Sequence, residues 1–167
     1  MKKLTLLAII AIAFTFNSYS QISAGGGLVY GTEQQTIGFN LRGQYSITES
    51  IDIVGGLTFY LPNKEKQTLI FTTVESKTNM WAFDVDGHYN FGIIDKLKVY
   101  PLAGLNIAGV TVEVNGTESS DTEVGLNIGA GATYEITEKI AGLFETKYTI
   151  GNFDQAVISL GVLYKFK

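Results

Sequence analysis

The sequence predicts an all-β chain: an eight-stranded, antiparallel, up-and-down transmembrane β-barrel behind a cleaved N-terminal signal peptide. Three observations carry that expectation. Apolar and polar residues alternate with period two through eight separate stretches, the pattern of strands with one apolar face. Beyond the first twenty residues there is no run of about 18 apolar residues, so helices are excluded as the spanning elements. Of the 167 residues, 46% are hydrophobic and only 17% charged, whereas a soluble domain carries roughly 25% charged residues. The chain is too poor in charge to cover an ordinary wet surface. It is too rich in aromatics, at 12%, to be disordered.

Its length suits one domain. Residues 1–20 read as the signal peptide: Lys2 and Lys3 give a basic start, Leu4 to Phe16 is almost wholly apolar, and small residues at Ser18 and Ser20 fit cleavage before Gln21. The apolar run is shorter than the ~20 residues that an anchoring helix needs. What remains is a single domain, residues 21–167, with ten basic and sixteen acidic side chains and a net charge of −6. That balance disfavours nucleic acid and other polyanionic partners. Zero cysteines exclude disulfide scaffolds, thiol chemistry and lipid attachment at a processed N-terminal cysteine.

The eight strands are expected at Gln21 to Gly31, Thr36 to Thr48, Ile51 to Leu61, Asn79 to Asn90, Leu97 to Gly109, Thr122 to Ile136, Lys139 to Ile150 and Gln155 to Phe166. Many exceed the five or six residues of an ordinary strand. Their connections differ by side. Glu49-Ser50, Gly92 to Lys96 and Thr137-Glu138 make one tight rim, whereas Pro62 to Thr78 and Val110 to Asp121 are long links on the other. Gln67 to Glu75 still alternates, and Asn115-Gly116 is a strong hairpin turn. Both long links are therefore expected to rise beyond the barrel as twisted ribbons.

Residue chemistry decides which face turns outward. One face collects Ile22, Leu28, Tyr30, Ile51, Ile53, Phe59, Trp81, Phe83, Val85, Ile158, Leu160, Val162, Tyr164 and Phe166. The other carries Arg42, Asp52, Asp84, Asp86, His88, Lys98, Glu135, Glu145, Lys147 and Lys165, with glycines such as Gly25, Gly27, Gly104, Gly129 and Gly161. An eight-stranded barrel has an interior of little more than side-chain width, too narrow for so many aromatic rings. The apolar face is thus expected against lipid and the ten titratable groups inside, neutralising one another. A soluble, lipocalin-like carrier barrel would need the reverse arrangement. Aromatics near the strand ends, Tyr45, Tyr89, Tyr134 and Tyr164 at the tight rim and Tyr30, Phe59, Trp81 and Tyr148 opposite, fit interfacial girdles.

Asp84, Asp86 and His88 are the most enzyme-like group, because alternate strand positions share a face. A metal site or an acid/base pair is conceivable there, but a lumen hydrogen-bond network explains the same residues more simply. Lys98, across the short turn from His88, is expected to pair with that acidic row. Arg42, the lone arginine, lies near mid-strand, where a forked ion pair beside Asp52 or opposite Glu145 would hold the lumen closed. Glu145 and Lys147 add further charge to the plug. No phosphate loop, cofactor fingerprint or metal-ligand spacing is present, so neither cofactor nor metal is expected.

The last strand, Ser159-Leu160-Gly161-Val162-Leu163-Tyr164-Lys165-Phe166, reads as polar residue, any residue, Gly, two more, aromatic, any, aromatic. With it the chain resembles the small outer-membrane β-barrel proteins of Gram-negative bacteria, especially the Bacteroidetes group, over the signal peptide and all of 21–167. The resemblance implies that Ser159, Gly161, Tyr164 and Phe166 form an assembly signal read by the barrel-assembly machinery; here Lys167 follows the final aromatic. It also implies a bacterial outer-membrane location with both termini periplasmic, since short turns normally face that side. Some barrels of this size modify lipid A with a histidine near the outer interface. His88, the only histidine, lies toward the tight rim, the wrong end for that chemistry. The expected protein is a non-enzymatic, porin-like monomer among outer-membrane lipids, with a structural, adhesive or envelope-interaction role toward an extracellular or envelope protein or glycan. A narrow passive channel for small or apolar solutes is the alternative.

Overall fold

The computed structural model describes residues 22–33, 35–69, 72–114 and 117–166, with the backbone alone for 63–77 and 114. The expected signal peptide and the Asn115-Gly116 turn lie outside the described residues. Ten strand segments are present: β1 (Ile22–Gly31), β2 (Thr36–Ser46), β3 (Ile51–Tyr60), β4 (Asn63–Leu69), β5 (Thr72–Tyr89), β6 (Phe91–Ile94), β7 (Leu97–Val114), β8 (Thr117–Glu135), β9 (Ile140–Ile150) and β10 (Gln155–Lys165). They make eight staves. β4 prolongs β3 past Leu61-Pro62, where proline removes a backbone donor, and β6 prolongs β5 past Asn90.

Each stave pairs antiparallel with its neighbours. The ring closes where β1 meets β10, from Ser23 opposite Lys165 to Gly31 opposite Val157. Closure matters because hydrocarbon offers no hydrogen-bond partner to an unpaired strand edge. The seam depends on small residues. A Cβ at Gly27 would sit 2.2 Å from the Leu160 carbonyl oxygen, and one at Gly161 would sit 2.6 Å from that of Gly26.

The two faces are inverted relative to a soluble protein. Leu160 is 65% exposed and Phe39 53%, whereas Glu145 is 1% exposed and Asp84 3%. All eight girdle aromatics lie on the outer surface, Tyr45 partly covered and the other seven exposed. The barrel is therefore a transmembrane one, and the soluble carrier alternative, which requires the opposite arrangement, is set aside. No helix among the described residues is long and apolar enough to cross a membrane; here strands do so.

Three boundaries differ from expectation by five residues or more, all by lengthening. β5 starts at Thr72, β7 runs to Val114 and β8 starts at Thr117, because the long links keep their alternation and remain in ladder register. The ribbons are also joined side by side, since β5 pairs with β7 from Ser76 opposite Val114 downward. Instead of two separate hairpins, a four-stranded sheet, β4-β5-β7-β8, stands above the long rim. On the tight side, β6 folds back on β7 through an irregular register at Gly92 to Ile94, which narrows the expected five-residue turn to Asp95-Lys96.

The seam gives a direct test. Gly27→Val should sharply lower the folded fraction seen as a heat-modifiable band, whereas Gly43→Val, where a Cβ meets nothing within 4 Å, should fold like the wild type. Equal folded yields would show that the seam has slack which the close approach denies.

Candidate functional site: the charged lumen

Inward parity on eight staves brings distant residues to one axis, and the lumen is layered as a result. Below the long rim, Val29, Tyr60, Met80, Ala82, Ala108 and Val157 form an apolar layer, with Phe153 and Val110 packed against it. Toward the tight rim, Tyr100, Leu102, Ala141, Leu143 and Leu163 form a second. Most of the buried charges lie between them. Past the second layer an open polar basin of about 720 Å³ faces the tight rim.

Arg42 grips Glu145 in a fork: Nη1 donates to Oε2 at 2.9 Å and Nη2 to Oε1 at 3.0 Å. Its Nε donates to Asn40 Oδ1 at 3.1 Å, and the Tyr100 hydroxyl donates to Glu145 Oε2 at 2.9 Å. A planar guanidinium suits this pairing because its donors match both carboxylate oxygens at once. His88 stacks on Tyr100 with ring centroids 4.3 Å apart, and its Nε2 lies 3.9 Å from Glu145 Oε2 without a hydrogen bond.

Lys147 centres a neighbouring cluster. Its Nζ is 2.9 Å from Asp84 Oδ2 and 3.2 Å from Asp86 Oδ2. Asn127 Nδ2 donates to Oδ1 of both aspartates at 2.8 Å, Asn106 Nδ2 donates to Asp84 at 2.7 Å, and the Thr149 hydroxyl holds Asn127 Oδ1 at 2.8 Å. Such saturation is what burial demands, because an unpaired charge in this space would cost several kcal/mol.

Of the ten titratable residues singled out by sequence, six thus share the middle of the lumen: Arg42, Asp84, Asp86, His88, Glu145 and Lys147. The other four lie nearer the tight rim. Asp52 accepts from Gln44 Nε2 at 2.7 Å and Asn90 Nδ2 at 2.6 Å and does not meet Arg42. Glu135 pairs with Lys165 in a half-buried bridge. Lys98 is exposed and stands opposite Gly92, so its expected pairing with the acidic row is corrected: one unbroken register puts Leu102 opposite His88 and leaves Lys98 four residues further toward the rim. The Asp84-Asp86-His88 row shares a face but does not converge, because Lys147 takes the aspartates while His88 turns to Tyr100. Among the described residues, no group of three His, Cys, Asp or Glu side chains could hold a metal.

Sequence reasoning missed Tyr100, Asn40, Asn106, Asn127 and Thr149, which complete the bonds, and it missed both apolar layers. All share inward parity with the charges. That parity was the available signal, obscured by attention to titratable groups alone.

Removing one partner of the fork should be far worse than removing both. Arg42→Ala is expected to destabilise the folded barrel by about 3–5 kcal/mol by leaving Glu145 buried without its counter-ion. Arg42→Met combined with Glu145→Gln should cost clearly less, read from urea midpoints in lipid vesicles. If the double replacement were as damaging as the single one, pairing would not be what holds this layer.

Comparisons with known proteins agree with the architecture. The N-terminal β-barrel domain of Pseudomonas aeruginosa OprF is similar at 19% identity and a TM-score of 0.67, covering 88% of this chain and 96% of that one. Ail, the attachment invasion locus protein of Yersinia pestis, is similar at 16% identity and 0.61, covering 88% and 97%. Neisserial surface protein A is similar at 21% identity and 0.59, covering 89% and 96%. At these identities the likeness concerns the fold. No curated relative matches the chain. The family model described as outer membrane protein beta-barrel domain matches residues 6–166. A match of that extent, on a closed ring of eight staves with its apolar face outward, shows that the chain belongs to the outer membrane protein beta-barrel domain family.

Proposed function

We propose that this outer-membrane barrel has a structural and adhesive role, performed by the four-stranded sheet above its long rim, while the lumen is a closed strut and not a conduit or an active site. The observation that carries this reading is the contrast between the two ends of the polar inventory. Mid-lumen charges are consumed by one another, between two apolar layers. The sheet above the rim, in contrast, carries exposed polar groups, Glu118 and Asp121 among them. On β8, Thr117 to Gly125 pairs with β7 on one side and has no strand on the other among the described residues. Natural sheets blunt such an edge with charged side chains, proline or a bulge. This one continues in unbroken register and carries Glu118, Asp121 and Glu123, which discourage pairing with another copy and favour a partner of opposite charge.

The same reading makes the long rim extracellular and the tight rim, with both termini, periplasmic, as short turns normally are. It treats the protein as a monomer, places it among the Bacteroidetes-type members, and assigns an envelope or external protein or glycan as the partner of the sheet. Ser159, Gly161, Tyr164 and Phe166 serve as the assembly signal for the barrel-assembly machinery. Tyr164 and Phe166, edge to face with centroids 5.0 Å apart at the end of β10, support that assignment. Arg42, Asp84, Asp86, His88, Glu145 and Lys147 act together as the plug, and Asp52, Lys98, Glu135 and Lys165 serve the basin below it.

Two measurements test this. Shortening both ribbons to just above Met80 and Val110, which are kept, should leave the heat-modifiable barrel intact while abolishing attachment of expressing cells to protein- or glycan-coated surfaces; attachment unchanged by the cut would remove the sheet from the function. In planar bilayers the wild type should show no stable unit conductance, and Arg42→Ala should raise cation leakage through exposed carboxylates. A reproducible wild-type channel insensitive to Arg42→Ala would make passive solute passage the leading function.

A further inference from the structure

A second concavity, of about 310 Å³, opens at the long-rim mouth beside the sheet and shares no side chain with its free edge. Its lining is chemically one-sided. Glu33 and Asp154 supply two carboxylates, Tyr148 and Phe153 two aromatic rings, Met80 a thioether, and among the described residues neither Lys, Arg nor His lines it. The Tyr148 hydroxyl donates to Asp154 Oδ2 at 2.6 Å, which fixes the carboxylate against the ring. Gln155, in the same lining, is 6% exposed and its Oε1 has no partner. Its Nε2 reaches only the Tyr60 hydroxyl at 3.4 Å and Met80 Sδ at 4.0 Å, so this amide is weakly held. Buried acceptors are nearly always paired, and an orphan calls for a donor.

Beside it the backbone is kept bare. A Cβ at Gly31 would lie 2.7 Å from Gln155 Oε1 and 3.0 Å from the Tyr60 ring. Glycine there preserves the gap in which the amide can turn. Carboxylates at the lip, aromatic walls, a polarizable sulfur and an unpaired acceptor below all favour one kind of guest: a positively charged donor on a short apolar stem. Aromatic faces attract cations through their quadrupoles, and carboxylates accept their N–H bonds.

We propose that the long-rim mouth is a binding site for a small organic ammonium. The ammonium group donates to Gln155 Oε1 beneath the carboxylates of Glu33 and Asp154, with its stem turned outward along Phe153. The site is independent of the ribbon edge, so ribbon shortening leaves it intact and its failure would not affect the adhesive reading.

The probe is n-butylammonium, added to folded, isotope-labelled protein in a nonionic detergent, with uncharged n-butanol as the matched control. Saturable shifts of the Met80 methyl and Gln155 side-chain amide resonances are expected, with a dissociation constant on the order of 1 mM, and no saturable shift with n-butanol. Glu33→Gln with Asp154→Asn, both at exposed positions, should weaken binding about tenfold, which corresponds to ~1.4 kcal/mol. Gly31→Ala should weaken it further by pressing on Gln155. If Gly31→Ala fails to fold, the carboxylate pair alone decides. Equal affinity for n-butanol, or unchanged affinity in the double variant, would reduce the mouth to an apolar dent and overturn the proposal.

Discussion

Everything in this protein follows from the requirement that a backbone in hydrocarbon satisfy its own hydrogen bonds. A strand edge left open in lipid would strand several N–H and C=O groups at a cost of several kcal/mol each. The ladder therefore has to return to its start, and the meeting of β1 with β10 meets that need. Gly25 and Gly27, the latter opposite Gly161, let the two strands approach as closely as they do. Closure then fixes side-chain parity around the whole ring, and parity sorts leucine and phenylalanine outward and aspartate and lysine inward.

Once sorted, the inward residues face a problem that soluble cores avoid. Two cations, three carboxylates and an imidazole share a space with almost no free volume, since the cavity among Asn40, Arg42, Asp84 and Lys147 is only about 10 Å³. Isolated ions there would be ruinous. Amides and hydroxyls on intervening staves absorb the unused lone pairs, and the apolar layers above and below separate the charges from the two mouths. The outcome is a rigid axial column in which each member depends on its neighbours.

Period two made the eight staves legible in the sequence, and the turn chemistry made the alternation of short and long links legible too. The extent of β5, β7 and β8 was under-read because Thr, Ser and Glu in the ribbons lack the apolar partner that marks a strand, even though their alternation continues. The lateral union of the ribbons has no local signature at all; it follows from β5 and β7 being neighbours in the ring. Inside, face assignment identified which charges could meet. It could not choose Glu145 over Asp52 for Arg42, because strand stagger around a closed barrel sets axial height and a single sequence does not encode it locally. Lys98 shows the same limit, since the register that sets Leu102 opposite His88 leaves Lys98 four residues nearer the rim.

The length of β5 and β7 has a mechanical consequence. Each is one uninterrupted strand of 18 residues, running from the sheet above the membrane down to the lumen, where β5 carries Asp84 and His88 and β7 carries Tyr100 and Asn106. Without a hinge between the two regions, a pull on the external sheet along the barrel axis is borne as shear across many hydrogen bonds in parallel, and strands loaded that way resist far better than a hairpin peeled open bond by bond. Tension applied to the sheet would thus travel through the bilayer to the ionic column, which braces the two staves against the far wall through Lys147 and Glu145.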